Sequence, residues 1–234
     1  QMTQKLQGKF AGVQILQTTG RLGEGMSVRI RGQASITAGN QPLYVVDGFP
    51  ITGDINVLNP DEIESISVLK DAASTSLYGS RASNGVVMIT TKRAKSGQTS
   101  VNVNAFYGLQ KIPEKGIPEL MDAREWAQFR KEIYEENNRA VPVEFQNPNQ
   151  YSEGTNWYRL ITRTAPIQSY SVSLTAGKEK LSTSAVMSFF NQDGVLINSN
   201  YKRFNARINT EYTLNDKVRI GLNIAPVLAT TTGR

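Results

Sequence analysis

From residue 98 onward the chain alternates between apolar and polar positions. In "SVNVNAFYGLQ", Val101, Val103, Ala105 and Tyr107 share one face, and Asn102, Asn104 and Phe106 share the other. "YSVSLTAG" sets Val172, Leu174 and Ala176 against Ser171, Ser173 and Thr175. "RFNARINTEYTL" sets Phe204, Ala206, Ile208, Thr210, Tyr212 and Leu214 against Asn205, Arg207, Asn209, Glu211 and Thr213, and "KVRIGLNIAPVL" continues with Val218, Ile220, Leu222 and Ile224. A period of two places successive side chains on opposite faces of a strand. Two architectures share this pattern. A transmembrane β-barrel turns its apolar face to lipid and its polar face to a wet lumen. A soluble sandwich buries the apolar face in its core. Alternation alone favours the sandwich. Connection lengths shift the balance: "GKEK" and "ND" read as tight turns, while "NQDGVLINSNYK" and an insert at about 111–168 are long. Short turns at one end and long loops at the other are the habit of outer-membrane barrels. In the insert, "LMDAREWAQFRKEIYEENN" predicts a helix capped by Asp122, with Trp126, Phe129, Ile133 and Tyr134 as its apolar stripe.

Residues before about 96 follow a different rhythm of short apolar runs and glycine turns. "SVRIRG" predicts a strand with Val28 and Ile30 on one face and Arg29 and Arg31 on the other. "PLYVVDG" predicts a second strand, closed by an Asp-Gly turn. In "NPDEIESISVLKD", Asn59, Pro60, Asp61 and Glu62 open a helical turn, with the acids where the helix dipole favours anions, and "ISVLK" reads as strand. Asp71 is expected to cap the short helix "AASTSLY" and Gly79 to end it, before "GVVMITTK" forms a strand buried on both sides.

Composition narrows the chemistry. The 234 residues contain no cysteine and no histidine. Disulfides, thiolate sites, imidazole ligands and Ser-His triads are therefore excluded. The net charge of +6 is modest, its basic residues do not cluster in one run, and it reads as solvated surface or a few buried ion pairs. The glycines of "GRLGEG" do not have dinucleotide-loop spacing, and Asp47, Asp54, Asp61 and Glu62 do not have calcium-loop spacing. The expectation is a protein that is not an enzyme and holds no cofactor and no metal.

The segments "LQGKFAGVQI", "VRIRG", "PLYVVDGFP", "NPDEIESISVLKDAASTSLYGSRASNGVVMITTK" and "APIQSYSVSLTAGKEKLSTSAVMSFFNQDGVLINSNYKRFNARIN" resemble, in order, the TonB-dependent outer-membrane transporters of the SusC/RagA type. The resemblance implies an α+β plug domain at 1–96 and, at 97–234, the first antiparallel β-strands of an incomplete transmembrane β-barrel, with the 111–168 insert as a helical surface loop. It implies a fragment: signal peptide, TonB-box and most of a barrel of about 22 strands would lie outside this chain. It implies residence in a Gram-negative outer membrane, energised import of oligomeric nutrients, most of all glycan fragments, and a plug that gates the lumen. Peptide or siderophore uptake is the alternative on the same scaffold, and a β-rich adhesion protein is the alternative of a different class.

The implied partners are the TonB complex, acting through a segment missing from this chain, a SusD-like surface lipoprotein, and oligosaccharide or peptide cargo. No nucleic-acid partner is expected. Plug apices facing cargo would be Gln33, Ser35, Pro50, Thr52, Asp54 and Asn59. Arg29 and Arg31 would form the plug side of a lock closed by barrel glutamates. Because the plug precedes the first wall strand, that strand is expected to start in the periplasm, which puts the 111–168 insert and "NQDGVLINSN" outside the cell and "GKEK" and "ND" in the periplasm.

Overall fold

The structure is a computed structural model and describes residues 13–16, 22–23, 27–30, 41–51, 58–59, 62–69, 76–93 and 97–233. The chain divides into two compact units, one of 1–108, 167–193 and 199–234, the other of 109–166 and 194–198.

The first unit begins with β1 (Val13–Leu16) paired antiparallel to β2 (Ser27–Ile30). A four-stranded sheet follows, built from β3 (Leu43–Val46), β4 (Phe49–Ile51), β5 (Ile63–Leu69) and β6 (Val86–Thr91) in the order β4-β3-β6-β5. β3 and β6 run parallel in the middle, which explains their unbroken apolar runs. One face packs Tyr44, Val46, Val87 and Ile89 with Ile30 and Leu58; the other packs Leu43, Val45 and Val86 with Ala82. Val86, Val87, Val45 and Ile89 are essentially inaccessible to solvent. The Asp-Gly signal holds: Asp47 (φ 51°) and Gly48 (φ 90°) make a two-residue hairpin that pairs Val46 with Phe49. Gly79 departs from expectation. With φ 66° and ψ −158° it kinks a 3₁₀ segment that runs from Ser76 to Ala82, instead of ending it.

The same unit holds a long antiparallel sheet. Its strands are β7 (Thr99–Gln110), β8 (Ala165–Lys178), β9 (Leu181–Asp193), β10 (Asn200–Asn215), β11 (Val218–Ile224) and β12 (Val227–Thr232). They lie in the order β7-β8-β9-β10-β11, and β12 also pairs with β10. β11 and β12 continue one register along β10, from Tyr212↔Ile220 through Ile208↔Ile224 to Phe204↔Leu228. They are separated only at Ala225 and Pro226. The Pro226 carbonyl accepts from the Ala206 amide at 3.1 Å, but proline has no N–H to return the bond. Among the described residues the sheet is open at both edges. Glu179-Lys180 and Asp216-Lys217 are two-residue turns, and in the second the Asn215 side chain accepts from the Lys217 and Val218 amides.

In the second unit, α1 (Ala123–Glu136) starts at Asp122 as expected. The Asp122 carboxylate accepts from Glu125 N at 2.7 Å and the Glu125 carboxylate accepts from Asp122 N at 3.0 Å, a reciprocal capping box. The expected stripe is only partly covered. Trp126 and Phe129 are exposed, and α1 buries Ala127 instead. Its packing neighbours, α2 (Val143–Gln146) and the 3₁₀ turn Pro148–Gln150, are each a single turn long. The Arg130 guanidinium lies 5.3–5.7 Å from the rings of Tyr134, Trp126 and Phe145, a cage of cation–π contacts. α3 (Trp157–Ile161), capped by Asn156, precedes β8.

Candidate functional site

The long sheet is inverted relative to a soluble sandwich. Its apolar face is exposed: Tyr170, Val172 and Leu174 on β8, Met187 and Phe189 on β9, Phe204, Ile208 and Tyr212 on β10. These side chains line up across strands, as in Tyr170–Phe189–Phe204–Leu228 and Val172–Met187–Ala206. The polar face is the buried one: Ser171, Ser184, Ser188, Asn205 and Arg207 are each less than a tenth exposed. A soluble sandwich, the reading that alternation alone favours, would bury the opposite set. On β10 the exposed apolar row runs from Phe204 to Leu214 and is bounded by the exposed Lys202 and Asp216. Polar ends around an apolar band with aromatic rows are the profile of a lipid-facing wall.

Tyr201, Arg207 and Glu211, on the polar face of β10, meet described residues that precede residue 96. Tyr201, at one end, packs against Gly23; a Cβ at Gly23 would fall inside van der Waals contact with the Tyr201 ring, and its φ of +78° is itself one that side chains disfavour. The Tyr201 ring lies 6.0 Å from Phe190, tilted by 59°, and the Arg203 guanidinium sits 5.6 Å over Phe190. Arg207, mid-strand, donates from Nε to Glu62 Oε2 at 3.0 Å. The side chains are 10% and 3% exposed, so this is a buried ion pair. Glu211, near the far end, accepts from Arg93 at 3.0 Å in a half-exposed pair, with Arg219 3.9 Å away. Tyr201, Arg207 and Glu211 are separated by even numbers of residues and so share one face.

Glu62 is held by backbone as well as by charge. Its amide donates to the Asn59 carbonyl at 3.0 Å, and its carbonyl accepts from Lys92 N at 2.8 Å, so it is tied to the exit of β6. There the Asp47 carboxylate accepts from Thr91 N at 2.9 Å and Thr91 Oγ1 at 2.6 Å, which fixes the β3–β4 hairpin to the same corner. Beside that corner lies a cavity of about 630 Å³. Val46, Phe49 and Leu58 line one side of it, and Arg207, Asn209 and Asn223 the other.

Of the sequence-predicted site residues, Pro50 is exposed in β4, opposite Val45, and Asn59 is buried in the turn before Glu62. Arg29 is half-buried in β2, and its Nε is buried with no hydrogen-bond partner. Gln33, Ser35, Thr52, Asp54 and Arg31 lie outside the described residues. Sequence reasoning missed Glu62 and Arg207. Glu62 was assigned to the helix dipole and Arg207 to the polar face of its strand, with no partner named for either. An arginine set between Asn205 and Asn209 on its own face of the strand was the available signal.

The family model for the TonB-dependent Receptor Plug Domain matches residues 1–86. The TonB-dependent receptor P26 of Formosa agariphila is 35% identical over 94% of this chain, which spans 22% of that protein. The TonB-dependent receptor SusC of Bacteroides thetaiotaomicron is 34% identical over 87% of this chain, which spans 20% of that protein. The RagAB peptide importer in its closed-closed state superposes with a TM-score of 0.84, at 30% identity, over 97% of this chain and 29% of that one. The chain belongs to the SusC/RagA-type TonB-dependent receptors. The siderophore receptor PirA of Acinetobacter baumannii, at 19% identity and a TM-score of 0.58, shares the fold. The small sheets therefore carry the plug fold, and the long sheet is part of an outer-membrane barrel wall whose lumen side is the buried polar face. The family is one of transporters and receptors. The chain spans about a fifth of the length of the curated relatives it matches.

Proposed function

We propose that this chain supplies the plug and the first wall strands of a transporter that imports an oligomeric nutrient, with glycan fragments as the cargo. The observation that carries the reading is the inverted wall: an apolar outer face for lipid, and a polar inner face tied to the plug through Glu62–Arg207. An adhesion module in water would leave that apolar face uncovered, which argues against the alternative class. Peptide cargo is the second reading, supported by the likeness to a structure described as a peptide importer. The siderophore receptors share too little sequence to bear on cargo.

Energy would come from the TonB complex through a segment outside this chain, and a SusD-like lipoprotein would cover the outer mouth. Gln33, Ser35, Pro50, Thr52, Asp54 and Asn59 are the proposed cargo-facing plug positions. Arg29 and Arg31 are proposed to meet barrel glutamates in a plug–wall lock; the buried, unbonded Arg29 Nε supports an acceptor there. Two plug–wall pairs among the described residues differ in polarity: the buried Glu62–Arg207 puts the carboxylate on the plug, whereas the half-exposed Arg93–Glu211 puts the guanidinium there, as the proposed lock would.

The test is uptake by cells carrying the complete transporter, with labelled oligosaccharides and peptides offered in parallel, with and without TonB. TonB-dependent uptake of oligosaccharide supports the reading; peptide uptake alone transfers it to the second. Orientation is tested on the same cells. Cysteine placed at Trp126 or Asn198 should react with an impermeant reagent and cysteine at Lys178 should not; the reverse pattern refutes the topology.

A further inference from the structure

The plug faces a wall that repeats itself. Ser171, Ser173 and Thr175 on β8, Ser184 and Ser188 on β9, and Asn205 on β10 are small, neutral and similar. Neighbouring strands repeat about every 4.8 Å, and same-face residues along a strand about every 6.7 Å. A plug that slid by one such repeat would meet hydroxyls and amides much like those it left. Hydrogen bonding to this face therefore discriminates poorly between seats.

Toward the two ends of β10 the Tyr201–Gly23 and Glu211–Arg93 contacts interrupt that repetition, and mid-strand Arg207 breaks it from within a buried site. It is a buried guanidinium flanked on its own face of β10 by Asn205 and Asn209, and it meets one carboxylate, Glu62. Burying the pair adds little net stability, because desolvation offsets the attraction. Separating the partners while both stay buried is a different matter. A plug displaced by one repeat would carry Glu62 against neutral side chains and leave Arg207 uncompensated, a bias of roughly a hundredfold or more against the wrong seat.

We propose that Glu62 and Arg207 are a seating key, positioning residues that select one depth and rotation of the plug in the lumen rather than supplying its adhesion. The proposal rests on the reading of the long sheet as barrel wall. The backbone bonds at Glu62 suit the role, since its amide and carbonyl are fixed to Asn59 and Lys92 and the carboxylate cannot follow a displaced plug.

The experiment uses the complete transporter in lipid bilayers, with spin labels at Ser83 on the plug and Lys217 on the wall turn, both exposed. Distance distributions and thermal midpoints are measured without cargo or TonB, so the result is independent of whether uptake succeeds. The wild type should give one narrow distance. Glu62→Leu/Arg207→Leu should keep its thermal midpoint within a few degrees while the distribution splits or broadens by roughly one repeat, about 5–7 Å. The reciprocal Glu62→Arg/Arg207→Glu should restore a single distance. If the leucine pair does not insert, Glu62→Gln/Arg207→Gln removes the charges at nearly constant volume and carries the same expectation. A single narrow distance in the uncharged pair, or a broad one in the charge-reversed pair, overturns the key.

Discussion

Substituting arginine along the outer row of β10 should cost stability in proportion to depth. Phe204 and Leu214 bound the apolar row, ten residues apart on a continuous strand. At about 3.4 Å per residue and a tilt of about 40°, the row spans about 26 Å across the bilayer. Its midpoint falls at Asn209, whose side chain faces the lumen, so Ile208 and Thr210 are the outward residues within about 3 Å of the midplane, and Ile208 is the apolar one. Ile208→Arg should then destabilise the complete protein by about 2–4 kcal/mol, whereas Leu214→Arg, at the interface, should cost about 0–1 kcal/mol. The assay is guanidinium unfolding of the transporter from lipid vesicles, with Tyr212→Arg as the intermediate point. In a soluble sandwich all three positions would lie in one core, and arginine would be costly at each. Equal penalties at Ile208 and Leu214 would refute the membrane placement, even though both variants were destabilised.

Two further outcomes follow from local geometry. Gly23→Ala should loosen the plug turn at Tyr201 by about 1–3 kcal/mol through overpacking, seen as faster hydrogen exchange around residues 22–23; Gly23→Ala combined with Tyr201→Ala should recover part of that loss, and no recovery would mean that the steric contact is not the cause. Asp122→Ala should remove about 1 kcal/mol from the start of α1, read as faster exchange of the Glu125 amide with the unfolding transition of the barrel unchanged; unaltered exchange would show that the capping box is dispensable.

Much of the local structure was legible in the residues. The Asp47-Gly48 hairpin, the Asp122 cap and the buried run of β6 each follow from rules that act within a few residues. The ends of the wall strands were less legible. "NQDGVLINSNYK" reads as loop because it is polar, yet β9 runs to Asp193 and β10 begins at Asn200. Asn200 Nδ2 donates to Asn191 Oδ1 at 2.9 Å and Asp193 Oδ1 at 2.6 Å, so side-chain bonds continue the pairing where apolar contacts stop. Glu62–Arg207 was out of reach for a different reason. Its partners are 145 residues apart, and no periodicity within either segment encodes the other.

The inversion of the wall shows where pattern reasoning ends and environment begins. Period two says that Ile208 and Arg207 face opposite ways, and it says nothing about which way is in. Against water, burying Ile208 and exposing Arg207 lowers the free energy. Against lipid, exposing Ile208 costs nothing, and a polar side chain such as Asn205 or Arg207 must find hydrogen-bond or ion-pair partners inside. The solvent, not the sequence period, thus selects between two mirror arrangements of the same strands. The buried polar row of Ser171, Ser188 and Asn205 is intelligible only with lipid on the far side. The same choice gives the Glu62–Arg207 pair its force. A charge pair on a water-facing sheet would be screened and worth about 1 kcal/mol at most, whereas one enclosed between plug and wall can discriminate between seats.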